Sequence, residues 1–100
     1  MSNHILSGES IDAFTVYLKN EERAPGTVEK YLRDVRTFTV WLNGKPVTKE
    51  AVTEWKEHLL SQHYTPSTIN ATLAALNGLF HCLGWEDCRA RFLKVQRLMF

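Results

Sequence analysis

The sequence predicts an all-α fold: a compact four-helix bundle with a short C-terminal helix or linker. Three observations predict it. Apolar residues return every three or four positions in four successive segments, each segment is bounded by Ser, Thr, Asn, Pro or Gly, and no stretch alternates with the period of a strand. Four amphipathic helices joined by short loops bury their stripes only against one another, and that makes a bundle.

The first helix carries Ile11, Phe14, Tyr17 and Leu18 on one face, with Ser7 or Ser10 as its cap. Asn20 and the Ala24-Pro25-Gly26 turn end it. In the second helix Val28, Tyr31, Leu32, Val35, Phe38, Trp41 and Leu42 form the stripe, while Glu29, Lys30, Arg33, Arg36 and Thr37 face away. Thr27 is its expected N-cap, and Asn43-Gly44-Lys45-Pro46 is a strong stop. Thr48 caps a third helix in which Val52, Trp55, Leu59 and Leu60 point inward and Glu50, Glu54 and Glu57 stay wet. Pro66 suits the first position of a fourth helix, whose stripe is Ile69, Leu73, Leu76, Phe80 and Leu83. The opposite face of that helix is small and uncharged: Asn70, Ala71, Ala74, Asn77 and Gly78. Gly84 and Trp85 close it, and the basic remainder, 86–100, reads as a short helix running into an extended linker.

A chain of 100 residues with 44% hydrophobic and 23% charged residues is one ordinary globular domain, and three Trp with five Phe supply a core without disulfide or metal. The N-terminus lacks the basic and apolar regions of a signal peptide, and no run approaches the roughly 18 apolar residues of a membrane span. With only Cys82 and Cys88, the expected setting is the cytoplasm with reduced thiols and no membrane partner. A net charge of +1 is low for a nucleic-acid binder. Screening makes local charge decisive, though: Lys30, Arg33 and Arg36 cluster in one segment, and Arg89, Arg91, Lys94 and Arg97 in another.

Catalytic chemistry finds no foothold. The sequence has no Gly-rich phosphate loop, no nucleotide fingerprint and no His paired at motif spacing with Ser, Cys or Asp. His81, Cys82 and Cys88 match no usual zinc spacing, so neither metal nor cofactor nor small-molecule substrate is expected, and Cys82 reads as a small core residue. Tyr17, Trp41 and Trp55 stand at core spacings rather than as stacking platforms.

The order of motifs is more specific than any one of them. Ile11-Asp12-Ala13-Phe14 with Tyr17-Leu18 resembles the opening helix of the SAM-like core-binding domain of tyrosine recombinases and phage integrases. The run from Thr27 to Phe38, followed by Trp41-Leu42, resembles that family's Thr-x-x-x-Tyr-x-x-Asp-Leu-x-x-Phe-x-x-Trp-Leu helix. Val47 to Val52 is similar to its third-helix entry, and Thr65-Pro66-Ser67-Thr68-Ile69-Asn70 to its Ser-x-x-Thr-Ile-Asn signature.

The resemblance implies a DNA-binding module that is not itself an enzyme. In the family a C-terminal domain cuts DNA with a tyrosine nucleophile, and this sequence has neither a His-x-x-Arg box nor a terminal tyrosine segment. The resemblance divides the chain into a flexible N-terminus at 1–8, the core-binding domain at 9–88, and a basic linker at 89–100 leading to an absent catalytic domain. Expected partners are double-stranded DNA, that catalytic domain, and further copies in a tetramer on DNA. The residues implied to touch DNA are Thr27, Lys30 and Arg33 on the second helix, and Ser67, Thr68, Asn70 and Asn77 on the fourth. Positions near Ala71, Thr72 and Asn77 often carry Arg or Lys in the family and here do not, so about three to five phosphate contacts and micromolar or weaker binding are expected. The competing reading is a helical protein-interaction module of the death-fold or sterile-alpha-motif kind, supported by the small, uncharged face of the fourth helix. A compact helix-turn-helix regulator fits less well, because the third and fourth helices are too far apart for its tight turn.

Overall fold

A computed structural model describes residues 4–94. Four helices follow one another: α1 Gly8–Asn20, α2 Pro25–Leu42, α3 Lys49–Ser61 and α4 Pro66–Leu83, with a 3-10 turn at Glu86–Cys88. Local chemistry explains the borders. Ser7 caps α1 by accepting from Ser10 N–H, and the Ser10 hydroxyl answers the Ser7 N–H, which completes a capping box. Thr48 and Thr65 cap α3 and α4 in the same way, through Ala51 N–H and Thr68 N–H. Gly84 ends α4 with φ +75°, a left-handed conformation in which a side chain would be strained.

One border differs from expectation. Thr27 is not the N-cap of α2; Ala24 is, and Pro25 stands at the first helical position. Proline's fixed φ suits that place and its missing N–H leaves no orphan there, so the helix starts three residues earlier and Thr27 lies inside its first turn. Ala24 supplies no side-chain cap, which leaves the early α2 N–H groups without a side-chain acceptor.

The core follows the stripes. Phe14 and Leu18 of α1, Val28, Leu32, Val35, Phe38 and Leu42 of α2, and Val52, Trp55 and Leu59 of α3 are buried against α4. Leu60, expected inside, is exposed; it follows Leu59 by about 100°, which turns it off the buried stripe. In α4, Ala75 and Leu79 are buried along with Ile69, Leu73, Leu76 and Phe80 of the predicted stripe, while Leu83 is half-buried, because α4 packs on α1, α2, α3 and the 3-10 turn. A helix covered on several sides needs a wider apolar surface than a single stripe. Cys82 is only half-buried, whereas Cys88 is a fully buried core residue.

Two side-chain clusters brace the ends. Trp55 packs between Phe38 and Trp41, with ring centroids at 5.6 and 5.2 Å, and stacks on His58 at 5.5 Å. Within the segment expected as a flexible N-terminus, His4 stacks on Trp85 at 4.5 Å, and its carbonyl accepts from Val47 N–H at 2.7 Å.

Candidate nucleic-acid interface

A cleft of about 290 Å³ lies where α2, α3 and α4 meet. Lys30, Arg33, Asp34 and Thr37 form its α2 wall, and Thr68, Ile69 and Thr72 its α4 wall. Trp55, Leu59 and Tyr64 make the floor and rim. The α2 residues share one side because they are three or four apart. Trp55 is 2% exposed, and its indole N–H has no hydrogen-bond partner among the described residues. Such a buried orphan donor costs about 1–3 kcal/mol, a burden that recurs at binding sites.

The polar groups of the cleft divide by what they have left to offer. Lys30 Nζ lies 2.9 Å from Asp34 Oδ2, a pair in which the lysine is 44% and the aspartate 17% exposed. Arg33 is exposed and forms no ion pair among the described residues. The Thr37 and Thr72 hydroxyls donate to the carbonyls of Arg33 and Thr68 at 2.9 and 3.3 Å, so toward the cleft they are acceptors only. Thr68 Oγ1 accepts from Thr65 Oγ1 at 3.0 Å and keeps its own proton free. Donors for an anion are thus Arg33, Lys30 and the Thr68 hydroxyl, and acceptors for an amino group are Thr37, Thr72 and the Asp34 carboxylate, whose Oδ2 already meets Lys30.

The structure brings together only part of the set marked in the sequence. Lys30, Arg33 and Thr68 share the cleft; Thr27, Ser67, Asn70 and Asn77 do not line it. Thr27 and Ser67 lie in the first turns of α2 and α4. Asn70 is two residues beyond Thr68, about 200° around the helix, and therefore leaves α4 on the far side. There Asn70 and Asn77 bond the backbone of Leu93 and Ala90, with both amide atoms of each side chain engaged. The polar face of α4 is therefore two surfaces. Sequence periodicity carried the signal, since 68 and 72 share a side and 70 and 77 share the other.

Tyr64, Thr37 and Thr72 are cleft residues that the sequence reading passed over. Their signal was positional: Thr37 follows Arg33 by one helical turn and Thr72 follows Thr68 by one. Away from the cleft, His4 Nε2, Asp87 and Cys88 Sγ gather ligand-type atoms within 4.8 Å of one another. His4 bonds Asp87 at 3.2 Å, the Cys88 thiol donates to the Val47 carbonyl at 3.6 Å, and Lys49 lines a separate, second pocket with His4 and Asp87. Burial, then the Asp87 carboxylate, pushes the Cys88 thiol up to about 11, which keeps it protonated at neutral pH. The basic residues 89–94 lie along α3 and α4, while Arg97 and the apolar end 98–100 fall outside the described residues.

The family model described as phage integrase, N-terminal SAM-like domain, matches residues 11–87. XerA recombinase, a solved structure, superposes with a TM-score of 0.74 at 18% sequence identity, over 92% of this chain and 35% of that chain. The chain thus spans about a third of that recombinase, and the likeness is one of fold. No protein of curated function matches the sequence.

Proposed function

The chain belongs to the phage integrase N-terminal SAM-like domain family, and from that premise we propose that it is the DNA-clamping domain of a tyrosine recombinase, acting in the cytoplasm on duplex DNA. One observation carries the reading: α2 and α4 face each other across a cleft whose free donors are cationic or hydroxylic and whose acceptors are threonine oxygens and the Asp34 carboxylate, which Lys30 partly neutralises. That combination suits a phosphate strand running past the base edges of a major groove. Arg33 and Lys30 meet phosphates, Thr68 donates to a phosphate or base edge, and Thr37 and Thr72 accept from a base amino group. The uncapped first turn of α2, with Thr27 in it, adds free backbone N–H groups and a positive dipole end. Ser67 lies in the first turn of α4, which Thr65 caps.

In this reading cutting and rejoining fall to the catalytic domain of the parent recombinase, and the tetramer on DNA is a property of that parent. The test is a titration of the isotope-labelled chain with a mixed-sequence duplex at low salt. Chemical-shift changes are expected at Lys30, Arg33, Thr37, Thr68 and Thr72. Changing Lys30 and Arg33 together to Ala removes two phosphate contacts and makes the slope of log affinity against log salt shallower by about 1.8. An unchanged slope in the double variant, or shifts confined to other faces, defeats the proposal and leaves the protein-interaction reading.

A further inference from the structure

Asn70 and Asn77 stand seven residues apart on α4, and each closes a two-bond ring with one residue of the segment 89–94. Asn77 Nδ2 donates to the Ala90 carbonyl at 3.0 Å, and its Oδ1 accepts from Ala90 N–H at 2.7 Å. Asn70 does the same with Leu93, at 2.9 and 2.7 Å. A carboxamide is the one side-chain group that matches both the donor and the acceptor of a single backbone residue.

The two rings are commensurate. Seven residues of helix rise about 10.5 Å, and three residues of extended chain reach about 10 Å. Because Asn70 meets Leu93 and Asn77 meets Ala90, the segment runs antiparallel to α4. The second wall is α3, where Lys49 Nζ donates to the Arg89 carbonyl at 2.6 Å and Lys56 Nζ to the Arg91 carbonyl at 3.0 Å. All six bonds end on main-chain atoms. Ala90 and Leu93 are half-buried against the core, while the side chains of Arg89, Arg91, Phe92 and Lys94 stay exposed. Asn inside a helix is also less favourable than Ala, so helix formation alone does not account for the two residues.

We propose that the trough between α3 and α4 is a binding site for extended polypeptide backbone, filled by the chain's own segment 89–94, with Asn70 and Asn77 setting its register. The site recognises peptide N–H and C=O groups and tolerates changes of side chain. Its consequence rests on the functional reading above: the segment then leads toward the catalytic domain, and the clamp fixes the direction and the residue at which it departs. Asn70 and Asn77 are positioning residues in that role rather than readers of bases.

Amide hydrogen exchange on the whole chain tests it. The Ala90 and Leu93 amides are expected to be protected in the parent. In a variant carrying Asn70→Ala and Asn77→Ala those two amides exchange about two- to tenfold faster, the effect of losing one net hydrogen bond each, while the amides inside α1–α4 keep their rates. Ala90→Pro, which removes one donor outside any helix, releases the segment as well; Ala90→Ser leaves it in place. Unprotected Ala90 and Leu93 amides in the parent overturn the proposal, as does protection that survives the double Asn change. If the double Asn variant loses DNA affinity with both amides still protected, the two residues read DNA and the clamp is wrong. Loss of the clamp with the Lys30 and Arg33 salt dependence intact refutes neither the cleft nor the functional reading, and the converse also holds.

Discussion

Gly78 lies inside α4 with its backbone toward Phe14, and replacing it with alanine stabilises the domain. A Cβ built at Gly78 stands 3.5 Å from Phe14 Cε1 and Cζ, ordinary van der Waals contact that needs no displacement of the ring. Its φ is not in the left-handed region, unlike that of Gly44 or Gly84, so alanine meets no backbone strain. The gain has two sources: glycine in a helix interior is less favourable than alanine by about 0.5–1 kcal/mol, and the new methyl fills space beside a fully buried ring. The expected total is about 1 kcal/mol, or a Tm about 4–8 °C higher for a domain of this size. Urea unfolding followed by tryptophan fluorescence, with a thermal melt by circular dichroism, measures it, and the m-value is expected not to change. Gly78→Leu works in the opposite direction, because atoms beyond the methyl enter the Phe14 ring and overpacking costs about 1–3 kcal/mol. A lower urea midpoint for Gly78→Ala refutes the reasoning, since it means that α1 and α4 approach more closely than 3.5 Å contact allows.

Phe38→Ala removes a fully buried ring between Trp41 and Trp55 and is expected to cost about 3–5 kcal/mol, a large share of the stability of a domain this size, read as a shift of the urea midpoint. The hydrogen bond from His81, followed by the Arg89 guanidinium, holds the Glu86 carboxyl below the usual carboxylate range. Its contribution is therefore present above the ordinary glutamate value and lost as pH falls through the lowered one, so acidification loosens the Gly84–Cys88 turn, and Glu86→Gln removes that dependence in an NMR pH series. For Cys88 the sign reverses: a thiol pushed up to about 11 stabilises the fold below the unfolded value near 8.5, and that stability fades as pH rises from there through 11. Alkylation of Cys88 at pH 8, followed in a Cys82→Ser variant, is expected to proceed at the rate of unfolding, and fast labelling of that native variant counts against its burial.

How much of this was legible beforehand differs by kind of feature. Helix existence, the caps Ser7 and Thr48, the Pro66 start of α4 and most of the stripes of α2 and α3 were written in local spacing, because a helix is a local object. Thr27 shows a local signal weighed wrongly: Pro25 two residues earlier already marked the first turn. Leu60 shows the limit of an apolar count, since only the angle from Leu59 turns it outward. Of the seven residues singled out in the sequence, Lys30, Arg33 and Thr68 line one cleft and Asn70 turns to the opposite side of α4; that Thr72 and Thr37 complete the cleft is a matter of one helical turn, visible once α2 and α4 are known to face each other.

By itself the sequence determined four amphipathic helices, their order, their faces and the cationic side of α2, because periodicity and capping act within a few residues. The tertiary structure alone decided which faces meet. Asn77 finds Ala90 thirteen residues away, Asn70 finds Leu93 twenty-three away, and His4 finds Asp87 eighty-three away. The physical reason is that a polar side chain looks the same in sequence whether it points at water, at DNA or at its own chain's backbone. Only the packing of the apolar stripes fixes which of these lies within hydrogen-bond reach.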